Sequence, residues 1–134
     1  MLMPPISRYM SCQPRTVGRS ATLQQAHQMM REHLIRHLPV VERGELVGIV
    51  SQNDLHLIET LQGADPGELT VAEAMTAEVY SVGFDEPVDV VVETMASRKL
   101  SSAVVLDRWG AVRGIFTTMD ALQVLADVLR RITA

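Results

Sequence analysis

Leu46-Val47-Gly48-Ile49-Val50-Ser51-Gln52-Asn53-Asp54 returns about 65 residues later as Val112-Arg113-Gly114-Ile115-Phe116-Thr117-Thr118-Met119-Asp120. Each copy is a short apolar run that reaches a hydroxyl residue, Ser51 or Thr117, with an aspartate three positions beyond. A run of that length reads as a buried strand, and the hydroxyl and aspartate that follow read as the start of a helix.

The recurrence extends outward from these strings. Met10, Val17, Gly18, Met30, Val40 and Arg43 recur as Met75, Val82, Gly83, Met95, Val105 and Arg108. After one extra residue near Trp109, Gly44, Gly48, Ile49 and Asp54 recur as Gly110, Gly114, Ile115 and Asp120. A repeat of this kind governs the fold. Two copies suggest a pseudo-twofold pair sharing one core, because a half of about 60 residues buries only about 60% of its unfolded surface and is marginal alone.

Within the first copy, an extended piece at Arg15 to Val17 leads to Ser20-Ala21-Thr22, whose hydroxyls can cap a helix. Leu23, Ala26, Met30 and Leu34 then mark one buried helical face. The apolar runs Leu38 to Val41 and Leu46 to Val50 flank Glu42-Arg43-Gly44-Glu45, a hairpin signal. A second helix begins near Ser51 and is expected to bury Leu55, Ile58 and Leu61.

The second copy gives an extended Val79 to Val82 and a helix with Pro87 at its first position carrying Val88, Val91, Val92 and Met95. Strands Ala103 to Leu106 and Val112 to Phe116 and a last helix from Thr117 follow. Gly63-Ala64-Asp65-Pro66-Gly67 is a turn-rich connector, and Thr70-Val71-Ala72-Glu73 has the form of a capping box opening a short turn that ends at Met75. Pro5 to Met10 holds the matching place before the first copy. The expected fold class is therefore α/β (α+β): two pseudo-twofold-related βαββα repeats, residues 1–62 and 71–134, joined by a linker at 63–70.

Composition narrows the function. Apolar residues make up 47% and charged residues 21% of the 134, as in an ordinary globular protein. A net charge of −4 argues against a generic nucleic-acid surface. Residues 1–65 hold six basic and six acidic residues and all four histidines, whereas residues 66–134 hold six basic against ten acidic. The first copy is the better host for an anion. One cysteine, Cys12, makes no internal disulfide, and no apolar stretch has the length of a signal peptide core or a membrane span. The expected setting is the cytoplasm, without membrane insertion.

The strings Ile35-Arg36-His37-Leu38-Pro39-Val40-Val41 and Leu46 to Leu55, matched by Ser101 to Leu106 and Val112 to Asp120, resemble the signature of the cystathionine-β-synthase (CBS) domain. Tandem CBS repeats form a Bateman module, and the resemblance covers nearly the whole chain. It implies a non-catalytic regulatory module with two clefts between its repeats. Family members bind adenosine nucleotides or related adenosyl compounds there (AMP, ADP, ATP or S-adenosylmethionine) and bias a partner domain or subunit. AMP is the first expectation, because nucleotide-binding members often carry a basic residue before the aspartate, where this chain has Asn53 and Met119. No other cofactor is implied. The regulated protein would be a separate, unknown chain. The alternative is a ligand-free interaction or scaffold module.

The residues themselves support a ligand site. Ser51 and Asp54 sit at a strand end and a helix's first turn, where a carboxylate suits a ribose diol and the helix amides suit a phosphate. Thr117 and Asp120 form the second pair. By the resemblance Arg36 and His37 border the ligand's phosphates, and the equivalent positions are Ser101 and Ser102, so the Asp54 cleft is the more anion-friendly. The resemblance also adds Tyr80, Leu100 and Ser101 to the Asp54 cleft, and Arg15, Ile35 and Arg36 to the Asp120 cleft.

Competing readings accompany these. Ser51 with Asp54 and Thr117 with Asp120 are also favoured helix caps. His33 and His37, four apart, lack a continuous helix between them, which argues against a metal site. His27 and His56 fit partly solvated helix faces. The methionines, including Met29, Met30, Met95 and Met119, read as core filler, and Cys12 as a buried or half-buried residue. No nucleophile elbow, phosphate loop or dinucleotide fingerprint is present, so an enzyme is not expected. Ala121, Leu122, Val124, Leu125, Val128, Leu129 and Ile132 make the last helix more apolar than one buried face requires, which points to a homodimer through the helices.

Overall fold

The computed structural model describes residues 3–133. Its residues cluster into two compact units, Pro14–Val79 and Tyr80–Ala134 together with Met1–Gln13. Each unit is a mixed α/β assembly built on the same strand-helix-strand-strand-helix series.

In the 14–79 unit the elements are β2 (Val17–Gly18), α1 (Leu23–His33), β3 (His37–Glu42), β4 (Glu45–Ser51), α2 (Gln52–Gln62) and a single turn, α3 (Val71–Ala74). The other unit begins with a 3₁₀ turn (Ile6–Arg8) and β1 (Ser11–Cys12). It continues with β5 (Ser81–Gly83), α4 (Val88–Arg98), β6 (Ser102–Leu106), β7 (Val112–Thr117) and α5 (Thr118–Thr133).

Register repeats along with sequence. Val17 lies opposite Val40 in the parallel β2–β3 pair, as Val82 lies opposite Val105 in β5–β6. Val40 faces Gly48 and Val105 faces Gly114 in the antiparallel hairpins, each followed by a one-residue irregularity. The β3–β4 turn takes Arg43 and Gly44 into positive φ, which a glycine tolerates at little cost. Between the matched pairs the second hairpin is one residue longer, and its turn is held by Asp107, whose carboxylate accepts from Trp109 N at 2.9 Å, Ala111 N at 3.0 Å and Arg113 Nε at 2.8 Å.

The compact units are offset from the sequence copies. Residues 3–13 open the first repeat in sequence yet pack with the second: Val88 N donates to Pro4 O at 2.9 Å, Ile6 N to Glu86 O at 2.8 Å, and β1 pairs with β7. Residues 69–76 make the equivalent contacts with the first copy. Leu23 N donates to Leu69 O at 3.0 Å, Val71 N to Ala21 O at 2.8 Å, and Ile49 and Thr76 exchange two bonds of 2.9 Å. Within the stretch read as linker, Leu69 is core and Thr70 caps α3, its amide donating to Glu73 Oε2 at 2.7 Å.

Each unit holds a cluster of buried apolar residues of its own. Leu23, Ala26, Met30, Leu38, Val40, Val50, Leu55, Leu69 and Val71 belong to one, and Ile6, Val88, Val91, Met95, Ala103, Val105 and Phe116 to the other. Each unit closes its own core with a borrowed segment, Leu69 to Ala74 or Ile6.

Other expectations shift locally. Leu34 is 92% exposed because it is the left-handed cap of α1. Leu61 is exposed because it stands six residues beyond Leu55, about a third of a turn off the buried face. Met119 is exposed on the side of α5 away from Ala121 and Val124, which pack on the core. Pro87 is the extended residue before α4 rather than its first helical residue. Cys12 is exposed, at the edge of a short strand.

Candidate functional site

A left-handed residue ends the helix ahead of the candidate residues in both units. Leu34 at φ 54° and Lys99 at φ 55° end α1 and α4, and the next amides fold back, Ile35 N to Met30 O at 3.0 Å and Leu100 N to Met95 O at 2.8 Å. This is a helix-ending bond of the type that satisfies otherwise orphaned carbonyls. The chain then enters β3 or β6 at a fixed angle, so that the carbonyl of Arg36 accepts from Gln52 N at 2.9 Å and that of Ser101 from Thr118 N at 3.1 Å. Residues far apart in sequence are thereby set side by side: His37 lies opposite Ser51, and Ser102 opposite Thr117.

At the helix starts, hydroxyl and carboxylate are joined. Ser51 N donates to Asp54 Oδ2 at 2.8 Å and Asp54 N donates to Ser51 Oγ at 3.2 Å, a complete capping box. Thr117 N donates to Asp120 Oδ2 at 2.9 Å, but here the hydroxyl also turns to the carboxylate, at 3.3 Å. Both aspartates are half-buried, and in both the capping bonds engage Oδ2. Oδ1 is the oxygen left for a further donor. The capping reading of these residues is therefore correct as local structure, and it orients each carboxylate rather than consuming it.

The two sites differ in charge. In the 14–79 unit, burial pushes the His37 imidazole below its usual value of 6.5; Asp54 opposes the shift and Arg36 adds to it. His37 is thus neutral at pH 7, and the cation of this segment is the exposed Arg36 next to it. The 80–134 unit has Ser101 and Ser102 at these positions, so its site offers hydroxyls without a cation there.

The remaining expected residues fall in stated places. Ile35 is half-buried against the 14–79 core, and Arg15 is exposed in the same unit. Tyr80 and Leu100 pack against the other core, and Ser101 is exposed at the start of β6. Tyr80, Leu100 and Ser101 thus belong to a different unit from Asp54, and Arg15, Ile35 and Arg36 to a different unit from Asp120. One contact of Tyr80 escapes sequence reasoning: the Arg98 guanidinium lies over its ring, 5.5 Å from the centre. Their 18-residue separation carries no periodic signal.

His27 and His56 share a surface of the 14–79 unit. The half-buried His27 Nε2 lies 2.6 Å from Glu59 Oε1, and the two imidazoles stack at 5.1 Å. Among the described residues no group of three or more His, Cys, Asp and Glu is placed to hold a metal ion, and no helix is long and apolar enough to cross a membrane.

Comparison with known proteins fits this geometry. Residues 6–57 and 71–127 each match the CBS domain. The chain is 31% identical over 99 residues to the CBS domain-containing protein YhcV of Bacillus subtilis, covering 74% of this chain and 70% of that protein. It is 33% identical over 108 residues to the L-aspartate semialdehyde sulfurtransferase of Methanocaldococcus jannaschii, covering 80% of this chain but spanning 20% of that protein's length. Among solved structures, the CBS domain pair of protein MJ0100, in complex with 5′-methylthioadenosine and S-adenosyl-L-methionine, superposes with a TM-score of 0.83 at 28% identity. The match covers 94% of this chain and 98% of that one. Two matched copies with one register and one site geometry settle the family: the chain belongs to the CBS domain family and carries a pair of these domains.

Proposed function

We propose that this CBS pair is a regulatory module that senses an adenosine ligand, AMP first among the candidates, and acts on a separate protein partner. The observation that carries this reading is the arrangement repeated in both units, a strand end and a helix start that fix a half-buried carboxylate beside the loop ahead of β3 or β6. Asp54 suits the ribose hydroxyls, the first amides of α2 suit an anion, and Arg36 supplies a two-pronged donor for a phosphate. A neutral His37 adds a hydrogen-bonding nitrogen without a second charge. One cation at Arg36, with Asn53 before Asp54, matches a single phosphate better than a chain of three. At Asp120 the serines favour an uncharged adenosyl compound or none.

Support for an adenosine ligand comes also from the MJ0100 CBS pair, solved with two adenosyl compounds. A ligand regulates by binding one state of the protein more tightly than another. Titration calorimetry with AMP, ADP, ATP, S-adenosylmethionine and 5′-methylthioadenosine tests the reading. AMP should bind the wild type, and Asp54→Ala should abolish that binding while the protein remains folded by circular dichroism. Silence from all five would replace this reading with the scaffold module, whose hydroxyl and carboxylate pairs serve as caps alone.

A further inference from the structure

The β6–β7 turn carries a side chain that the equivalent turn of the other unit does without. Trp109, the chain's single tryptophan, is 76% exposed and stands at the position that has no counterpart in the first copy. The β3–β4 hairpin turns through Arg43 and Gly44 with no aromatic residue, so closing such a turn does not require an indole. Nor is the turn loosely held. Trp109 N and Ala111 N both donate to Asp107 Oδ1, Arg113 Nε donates to Asp107 Oδ2, and Gly110 N donates to Asp107 O at 3.0 Å. The Arg108 guanidinium lies over the indole, 4.4 Å from the ring centre. The backbone is thereby fixed and the ring braced, while most of Trp109 faces solvent. A rigid, exposed tryptophan beside an arginine has the composition of an interface hot spot, because little ordering entropy remains to be lost on binding.

We infer that Trp109 and Arg108 are the contact by which this module docks a separate protein, whose side of the contact is an apolar pocket with a carboxylate on its rim. Charge complementarity selects the rim. Among the described residues Arg108 enters no ion pair, whereas the charges of Asp107 and Arg113 answer each other at 2.8 Å, so the tip of the turn presents an open cation. The indole selects the pocket, since a large apolar ring gains most where it is fully desolvated. A membrane surface fits less well. Surface attraction takes a cluster of about four or more basic residues, and the chain's net charge of −4 is repelled by anionic lipid. This contact rests on the proposed function only for the existence of a partner protein; AMP calorimetry on the wild type decides the nucleotide reading separately.

The full chain with a photoreactive phenylalanine at position 109 is irradiated in a lysate of the source cell, and each crosslinked protein is then purified and titrated without crosslinking. Binding to Trp109→Ser should be weaker by about thirtyfold or more, the loss that marks an aromatic hot spot. Arg108→Glu should weaken binding too, and replacing the partner's rim carboxylate with lysine should restore the affinity of that variant. Arg43→Glu, the equivalent position of the β3–β4 turn, should bind as the wild type does. No crosslinked protein, a partner that holds Trp109→Ser as tightly as wild type, or an equal loss with Arg43→Glu would each overturn the inference. So would Trp109-dependent binding to phosphatidylserine vesicles or Trp109-dependent dimerisation, which would make a membrane or a second copy the occupant. If Trp109→Ser loses its circular dichroism, the Arg108→Glu charge swap decides alone.

Discussion

Met75 lies against the α-carbon of Gly48, so closely that a β-carbon there would stand 2.6 Å from its sulfur. Met10 holds the same position over Gly114. The repeat equates Met10 with Met75 and Gly48 with Gly114, yet each methionine covers the glycine of the other sequence copy. Both contacts follow from the exchanged segments, since Ile49 and Thr76 bond beside Gly48 as β1 bonds to β7 beside Gly114.

Gly48→Ala should destabilise the protein by about 1–3 kcal/mol, the usual cost of overfilling a packed site. Only part of the obstruction is a flexible side chain, because the added carbon also meets the Thr76 carbonyl at 3.1 Å. For Gly114→Ala the three nearest atoms all belong to the flexible Met10 side chain, so it should cost less. Urea denaturation of Gly48→Ala, Met75→Ala and the double variant gives the coupling. Full additivity would show that Met75 is not the obstacle.

The capping bonds predict a difference between Ser51 and Thr117. Ser51→Ala removes an acceptor from the Asp54 amide and should cost about 1 kcal/mol of stability. Thr117 directs its hydroxyl to the Asp120 carboxylate instead, so Thr117→Ala should cost less. Melting curves of the two variants without ligand make the comparison, and equal losses would contradict it.

Much of this architecture was legible from apolar runs and caps. The strings around Gly48 and Gly114 gave the hairpins, and Thr70 to Glu73 gave α3, because turn chemistry and helix caps act within a few residues. The exchange of segments was written only in the recurrence of Met10 and Met75. It depends on backbone bonds such as Val88 to Pro4, which carry no side-chain signature. For the same reason spacing misplaced Leu34: its periodic position fits α1, but the chain needs a left-handed residue there to turn into β3. At the candidate site the hydroxyl and aspartate pairs were legible, while the Arg98–Tyr80 contact was not.

Asp107 should make the β6–β7 turn sensitive to acid. The Arg113 hydrogen bond is the main cause that holds its carboxyl below the usual 3.8, with the Ala111 and Trp109 amides acting in the same sense. A carboxylate depressed on folding stabilises above its unfolded value, and that stabilisation is lost as pH falls through the folded value. Asp107→Asn turns an amide toward a guanidinium donor and should lower the melting temperature at pH 7. The gap to wild type should close in strong acid; a gap constant from pH 7 to pH 2.5 would contradict the assignment.

His37 predicts the same direction, a loss of stability on acidification, in a higher pH window. Burial lowers its value from 6.5, so below about pH 6.5 the unfolded chain binds a proton that the folded protein resists, and stability falls with pH from that point down to the folded value. His37→Asn should remove this component, flattening the melting temperature between pH 7 and pH 5 relative to wild type. Ligand reverses the sign. A phosphate beside the imidazole favours its charged form, so AMP binding near pH 6.5 should draw a proton onto the complex. Calorimetry in two buffers of different ionisation enthalpy reads that uptake, and His37→Asn should reduce it. Equal uptake in wild type and variant would place the phosphate away from His37.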